Sequence, residues 1–443
     1  MKSKKLALLG GPRTLTLPMP KWPYIDEQDI AAVVKQLVTG PLSILGREGV
    51  VAEFEDAFAS YVGSKHALSF SSGTATLHAA VFAAGVGPGD EVLTTSNTWV
   101  SAINAIMHGN GIPIFCDVVP DGFSIDPDEI RKKAGARSKA VIVTHLYGIP
   151  SEMEEILEAA KDKNLIVIED SSHCSGATYK GKKVGTIGDI GCFSLQGFKS
   201  IVAGEGGVLV TDNRYLYERA MLPGHHHVRL QQELTHDDLK RYATCGMYWK
   251  YRAAPLAMAL VKVQLKRLDE WNRNRRENFA YLKKKIRDIN FLVQPKIPSK
   301  SELGFFGSAL IYDEKAAKGV SREAFIRAVR AEGVPLDTGY KPWYLEPIFQ
   351  DEFFYGRGCP WSCPYADRHL KFKAGDLPNT EQMAGKQLLL PFTTSLIAPS
   401  RELLDQISEA FHKVAENLDQ LEDIKPTELV SFTEGAGGGG YIA

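Results

Sequence analysis

The chain has 443 residues, of which 44% are hydrophobic and 24% charged, a balance that suits a soluble protein with a large buried core. A formal net charge of −1 gives no electrostatic case for nucleic acid or an anionic membrane surface as a partner. The opening MKSKKLALLGGPR holds too short an apolar run for a signal peptide, and no stretch approaches the ~20 apolar residues of a membrane span, so a cytoplasmic location is expected.

From His66 onward, short apolar runs alternate with helical stretches. HALSFSS reads as a strand, TATLHAAVFAAGV as a helix and GPGDE as a turn. EVLTTS is a second strand, followed by the helical TWVSAINAIMHGN and the strand IPIFCDV. Asp126 opens a helix with Pro127 at its first position. The strand AVIVTHLYG precedes a helix whose start reads as a capping box of Ser151 and Glu154, and LIVIED is the next strand. This alternation implies an α/β protein with a mostly parallel sheet covered by helices on both faces, where ligands gather at the carboxyl ends of the strands. One long helical stretch from about Pro255 to Ile289 leads to a smaller α/β domain containing GSALIYD, SREAFIRAVRAEG and RELLDQISEAFHKVAENL. The expected division is a large domain over 1–270, N-terminal arm included, a small domain over 271–425, and a Gly-rich, disordered tail over 426–443.

Four features fall on the strand ends of the large domain. Asp170 closes LIVIED, where a carboxylate either meets a ligand or caps the SSHCSG turn that follows. Ser71, Ser72, Gly73 and Thr74 lie between a strand and a helix start, where small residues and free N–H groups suit a phosphate. Trp99 follows the next strand and is either core or a platform for a flat ring. Lys199 sits in CFSLQGFKSIVAGEGG, uncharged around it until Glu205, as befits an amine that must lose its proton. Phosphate cradle, aromatic platform, strand-end acid and desolvated lysine are together what pyridoxal 5′-phosphate requires.

On these motifs, together with GPLSILGREGVVAEFEDAFASYVG, IEDSSHCSGATYKGKKVGTIGDIG and LPNTEQMAGKQLLLPF, the chain resembles the DegT/DnrJ/EryC1/StrS sugar aminotransferases of fold type I. The resemblance implies pyridoxal phosphate as cofactor and a homodimer with active sites at the interface. It makes Lys199 the Schiff-base lysine and proton-transfer base, Asp170 the partner of the pyridine nitrogen, and Trp99 the stacking ring. Ser72, Gly73, Thr74 and Ser194 would hold the phosphate, and His173 would lie near the cofactor ring. Tyr340, in DTGYKPWYLEPIF, is the candidate for the acceptor pocket.

Two departures stand out. Gln196 replaces the His common in members acting on nucleotide-linked sugars and resembles the subgroup that aminates cyclitol ketones, as does the opening LALLGGPR. Lys250, in YWKYRAAP, replaces the Asn that reaches the partner's cofactor phosphate, and its cation could hold that phosphate, pair with a substrate anion or change the chemistry. The leading expectation is ping-pong transfer of an amino group from L-glutamate or L-glutamine to a keto-sugar or keto-cyclitol. The alternatives are dehydration, decarboxylation or oxidation on the same cofactor, and a non-catalytic binding protein on the same fold. No metal site is expected: His225, His226 and His227 are adjacent and point apart, and Cys359 and Cys363 lack a second ligand pair.

Overall fold

Seven strands, β1 (His66–Phe70), β2 (Glu91–Thr95), β3 (Ile112–Cys116), β4 (Ser138–Thr144), β5 (Ile166–Asp170), β6 (Ile190–Ser194) and β7 (Gly207–Thr211), build one sheet in the order β1-β7-β6-β5-β4-β2-β3. The computed structural model describes residues 5–350, 356–362, 364–367 and 370–424. The expected Gly-rich tail and Cys363 lie outside these residues. β7 pairs antiparallel with both of its neighbours, and the other pairings are parallel. The inner strands are buried along nearly their whole length, so apolar runs such as Ala140–Val143 replace the alternation of a half-exposed strand.

Helices α1 (Glu27–Thr39), α2 (Gly49–Val62), α3 (Gly73–Ala83), α4 (Ser101–His108), α5 (Pro127–Lys133) and α6 (Met153–Asp162) surround the sheet. Asp126 caps α5 ahead of Pro127, as the sequence indicates. The expected capping box of α6 does not form. His145 Nδ1 accepts the Ser151 N–H at 2.9 Å and the Ser151 hydroxyl donates to Thr144 O at 3.2 Å, while the helix begins at Met153 without a side-chain cap. The expected long helix is also two, α7 (Pro255–Leu265) and α8 (Leu268–Lys285). At the junction the N–H groups of Lys266 and Arg267 turn back to Val263 O and Gln264 O. The Arg267 guanidinium pairs with Asp29 at 2.6 Å and with Asp26, so the end of α7 is fixed to the start of α1.

A second, antiparallel sheet follows, of β8 (Leu292–Val293), β9 (Ser308–Tyr312) and β10 (Gln387–Leu390), with β9 in the middle. Helices α9 (Arg322–Ala331) and α10 (Arg401–Ala415) bury Phe325, Ile326, Leu404 and Phe411 with Leu310, Tyr312 and Leu388 of this sheet. The N-terminal arm, grouped in sequence with the large domain, places Leu6 and Leu15 in this same cluster. No helix among the described residues is long and apolar enough to cross a membrane.

Candidate active site

The carboxyl ends of β5 and β6 lie side by side, with Asp170 opposite Cys192. Together with the β1–α3 junction they open into a cavity of about 390 Å³. Ser72, Gly73, Thr74, Trp99, Asp170, His173, Ser194, Lys199 and Tyr340 all line it, so nine of the candidate site residues read from the sequence meet in one place. Lys250 is the exception within a single chain.

The cradle is tight. Ser72 caps α3, its hydroxyl oxygen accepting the Ala75 N–H at 3.1 Å. The Thr74 hydroxyl donates to Ser101 Oγ at 2.8 Å, tying the start of α3 to the start of α4. A Cβ on Gly73 would stand 2.7 Å from Ser194 Cβ and 3.1 Å from Ser194 Cα, so only glycine lets the helix start approach β6 this closely. Gly73→Ala is expected to push Ser194 away and weaken phosphate anchoring by about tenfold or more, read as the cofactor dissociation constant against an unchanged far-ultraviolet spectrum.

Asp170 is 4% exposed. Its Oδ1 accepts the Ser172 N–H at 3.1 Å, so it caps the following turn and still faces the cavity. The capping reading therefore holds, and the side chain stays within reach of a ligand in the cavity. Burial pushes its carboxyl group up from the ordinary range, opposed by the Ser172 hydrogen bonds and the Lys199 charge. A carboxylate in this state favours a ligand that brings an N–H and a positive charge.

Burial lowers the Lys199 amine to about 8, against the opposing pull of Asp170 and Glu205. Its Nζ lies 3.7 Å from the centroid of the Phe306 ring. The Lys199 carbonyl accepts the indole N–H of Trp22 at 3.1 Å. Beneath Trp22 lies the buried Arg275 guanidinium, 4.7 Å from the ring, which donates to Ser200 O at 3.2 Å and Thr394 O at 2.7 Å. Trp99 is 39% exposed, which rules out core packing; it lines the cavity, tilted against Tyr340 at 6.0 Å. Gln196 lines the cavity while its Oε1 accepts the Phe198 N–H at 2.9 Å.

Several contributors escape a sequence reading. Phe306 arrives on the loop before β9 and stacks on His173 at 4.0 Å; its signal, two phenylalanines beside a glycine, is shared by many loops. Glu169 lies next to Asp170 but points to the opposite face. It is fully enclosed, accepting the N–H groups of Gly185, Ile187 and Gly188 at 2.8, 2.7 and 2.6 Å and that of His145 Nε2 at 2.9 Å. Two successive acids at a strand end could have suggested one for the ligand and one for the scaffold.

Lys250 is exposed, with a φ of 57°. Its neighbours hold the segment behind the cradle: Trp249 stacks on His78 at 4.1 Å, and Tyr251 O accepts the Ser71 N–H at 2.6 Å. Of the three consecutive histidines only His225 points away, whereas the His226 and His227 rings lie 4.1 Å apart, closer than the sequence suggests. His225 is buried edge-on to Phe70, His226 caps Val228 N, and His227 bonds the Tyr248 hydroxyl.

A model of the DegT/DnrJ/EryC1/StrS aminotransferase family matches residues 23–388. The chain belongs to this family. The protein is accordingly an aminotransferase, with pyridoxal 5′-phosphate as cofactor. The residues fit that group: the Gly73 cradle for its phosphate, buried Asp170 for its ring nitrogen and desolvated Lys199 for its aldehyde. This aminotransferase is 30% identical to the spore coat polysaccharide biosynthesis protein SpsC of Bacillus subtilis, over 90% of this chain and 97% of that one. It is 27% identical to L-glutamine:scyllo-inosose aminotransferase of Streptomyces griseus, over 94% and 99% of the two chains. The crystal structure of an aminotransferase from Psychrobacter cryohalolentis superposes with a TM-score of 0.77 at 26% identity, over 91% of this chain and all of that one.

Proposed function

We propose that this aminotransferase moves the amino group of L-glutamine or L-glutamate to the ketone of a sugar or cyclitol ring, with Lys199 as the base. The observation that carries this reading is the buried Lys199 amine, lowered to about 8, in one cavity with Asp170 and the cradle. Bound pyridoxal phosphate supplies an aldehyde that condenses with amines and a protonated ring that withdraws electrons. Asp170 holds the proton on the ring nitrogen. Lys199, once its Nζ is neutral, takes a proton from the carbon of the donor and later returns one to the carbon of the acceptor. Ser72, Gly73, Thr74 and Ser194 anchor the phosphate, and Trp99 covers the ring. Donor and acceptor classes follow the S. griseus relative, named for L-glutamine and scyllo-inosose, and the Gln196 that lines the cavity.

A second copy of the chain would complete the site. Ile30, Val34, Leu37 and Val38 form one exposed apolar face on α1, and exposed Lys250 would meet the partner's cofactor phosphate.

The test is the half-reaction. L-Glutamine or L-glutamate is expected to convert the visible absorbance of the loaded protein to that of the pyridoxamine form, and a keto-cyclitol or keto-sugar to restore it, with parallel-line ping-pong kinetics. Loss of the band without recovery by any such ketone would instead favour a reaction that does not transfer the amine.

A further inference from the structure

His173 is 3% exposed, and its ring is held on both sides. Phe306 stacks on it at 4.0 Å and 24°, and the rings of Tyr147 and Tyr340 lie nearly parallel at 6.3 and 6.0 Å. The stack orients the ring plane and leaves its two nitrogens in different surroundings. Nε2 stands 3.4 Å from the Tyr340 hydroxyl, the long end of hydrogen-bond range. Nδ1 is buried with no partner among the described residues, in a side chain that lines the cavity.

Tyr340 is itself anchored by its backbone. Its N–H donates to the Tyr147 hydroxyl at 3.0 Å, its carbonyl accepts from Gln387 Nε2, and the Tyr147 hydroxyl donates to Gln387 Oε1 at 3.1 Å. Gly339, with a φ of 76°, makes room: a Cβ there would stand 2.6 Å from the Tyr147 hydroxyl oxygen. The Tyr340 hydroxyl has no hydrogen-bond partner among the described residues other than His173. Burial holds the imidazole neutral and the phenol protonated. A neutral imidazole has one N–H and one acceptor nitrogen, and the bond made by one nitrogen sets the state of the other.

We infer that Tyr340 donates to His173 Nε2 and so fixes the imidazole proton on Nδ1, where it serves as a donor to an oxygen of the bound ligand. Tyr340 is then a positioning residue that works through His173. It links the β10 side of the fold, through Gln387, to the electronic state of the ligand in the cavity. That the ligand oxygen belongs to pyridoxal phosphate rests on the site roles proposed above; the tautomer does not.

The experiment is two-bond nitrogen–proton correlation on the full chain labelled with 15N-histidine, His173 being assigned by comparison with His173→Gln. The wild type, cofactor-free and loaded, is expected to show His173 protonated at Nδ1. Tyr340→Phe keeps the ring stack and loses one hydroxyl. It is expected to bring up the Nε2–H form and to raise the dissociation constant for pyridoxal phosphate about threefold to tenfold, the loss of one hydrogen bond. Tyr147→Phe loosens the anchoring of residue 340 but leaves its hydroxyl, and is expected to keep the Nδ1–H form. A wild type protonated at Nε2, an unchanged tautomer in Tyr340→Phe, or an equal change in both variants would overturn the inference. Because the cofactor-free spectra decide it, failure of the proposed transamination would be seen separately.

Discussion

Lys199→Ala is expected to lower amino transfer by about ten-thousandfold, since in the function proposed above one side chain supplies both the covalent attachment and the proton-transfer base. The visible band of the loaded protein is expected to vanish with it, even where the cradle still holds the phosphate. The wild-type amine also sets a pH dependence. It titrates near 8 rather than 10.5, so the neutral nucleophile increases about tenfold for each pH unit up to about 8 and then levels off. Attachment of pyridoxal phosphate to the cofactor-free protein should follow that curve, measured by stopped-flow absorbance. The sign of the stability effect follows from the same values. A folded amine that titrates below the unfolded one costs stability in full below about 8, and the cost fades as pH rises toward 10.5. Lys199→Ala removes this cost, so at neutral pH the cofactor-free variant should melt no lower than the wild type while being inactive. A flat rate profile across pH 8 would contradict the buried amine.

Asp170→Asn carries the second large effect. The substitution keeps the shape and the acceptor for the Ser172 N–H but removes the negative charge opposite the ligand. Breaking a buried, hydrogen-bonded charge pair costs about 3–5 kcal/mol, so a loss of turnover of about 10²- to 10⁴-fold is expected in single-turnover kinetics. Without cofactor the effect reverses. The folded carboxyl titrates above its ordinary 3.8, so its contribution to stability is present below that value and is lost as pH rises through it toward the folded one. At neutral pH the wild type therefore holds this carboxyl at a cost to stability, and the cofactor-free Asn variant is expected to melt higher. A variant that is both less active and less stable in the cofactor-free state would place Asp170 in the scaffold rather than at the ligand. Opposite movement of activity and stability is what a preorganised binding group produces.

The central sheet was legible because strands buried on both faces are written as apolar runs bounded by turn residues: β1, β2, β3 and β5 fall within the runs that suggest them, and β4 starts two residues before its run, at Ser138. The helix errors came from tertiary partners that local sequence does not name. Ser151 looks like a cap, but His145 takes its N–H and Thr144 its hydroxyl. The Pro255–Ile289 stretch looks continuous, but Arg267 is drawn to Asp26 and Asp29 far away in the chain. The site divides in the same way. Asp170, Gly73, Trp99 and Ser194 follow strand ends of a single sheet, so topology alone brings them together. Phe306 and Tyr147 join the site through packing between distant segments, and no spacing in the sequence encodes that meeting. The orientation of Glu169, one residue from Asp170, follows from strand alternation, but the three N–H groups that enclose it come from a loop that only the fold supplies.

The bond from the Trp22 indole to the Lys199 carbonyl has a practical consequence. An indole is a fluorophore, and this one touches the backbone of the lysine proposed as the catalytic base. Its other face rests on a guanidinium that also grips Ser200 and Thr394. Any shift of the reactive loop relative to the N-terminal arm therefore changes the polarity around one tryptophan. Trp22 fluorescence, one contribution among six indoles, is therefore expected to follow such a shift.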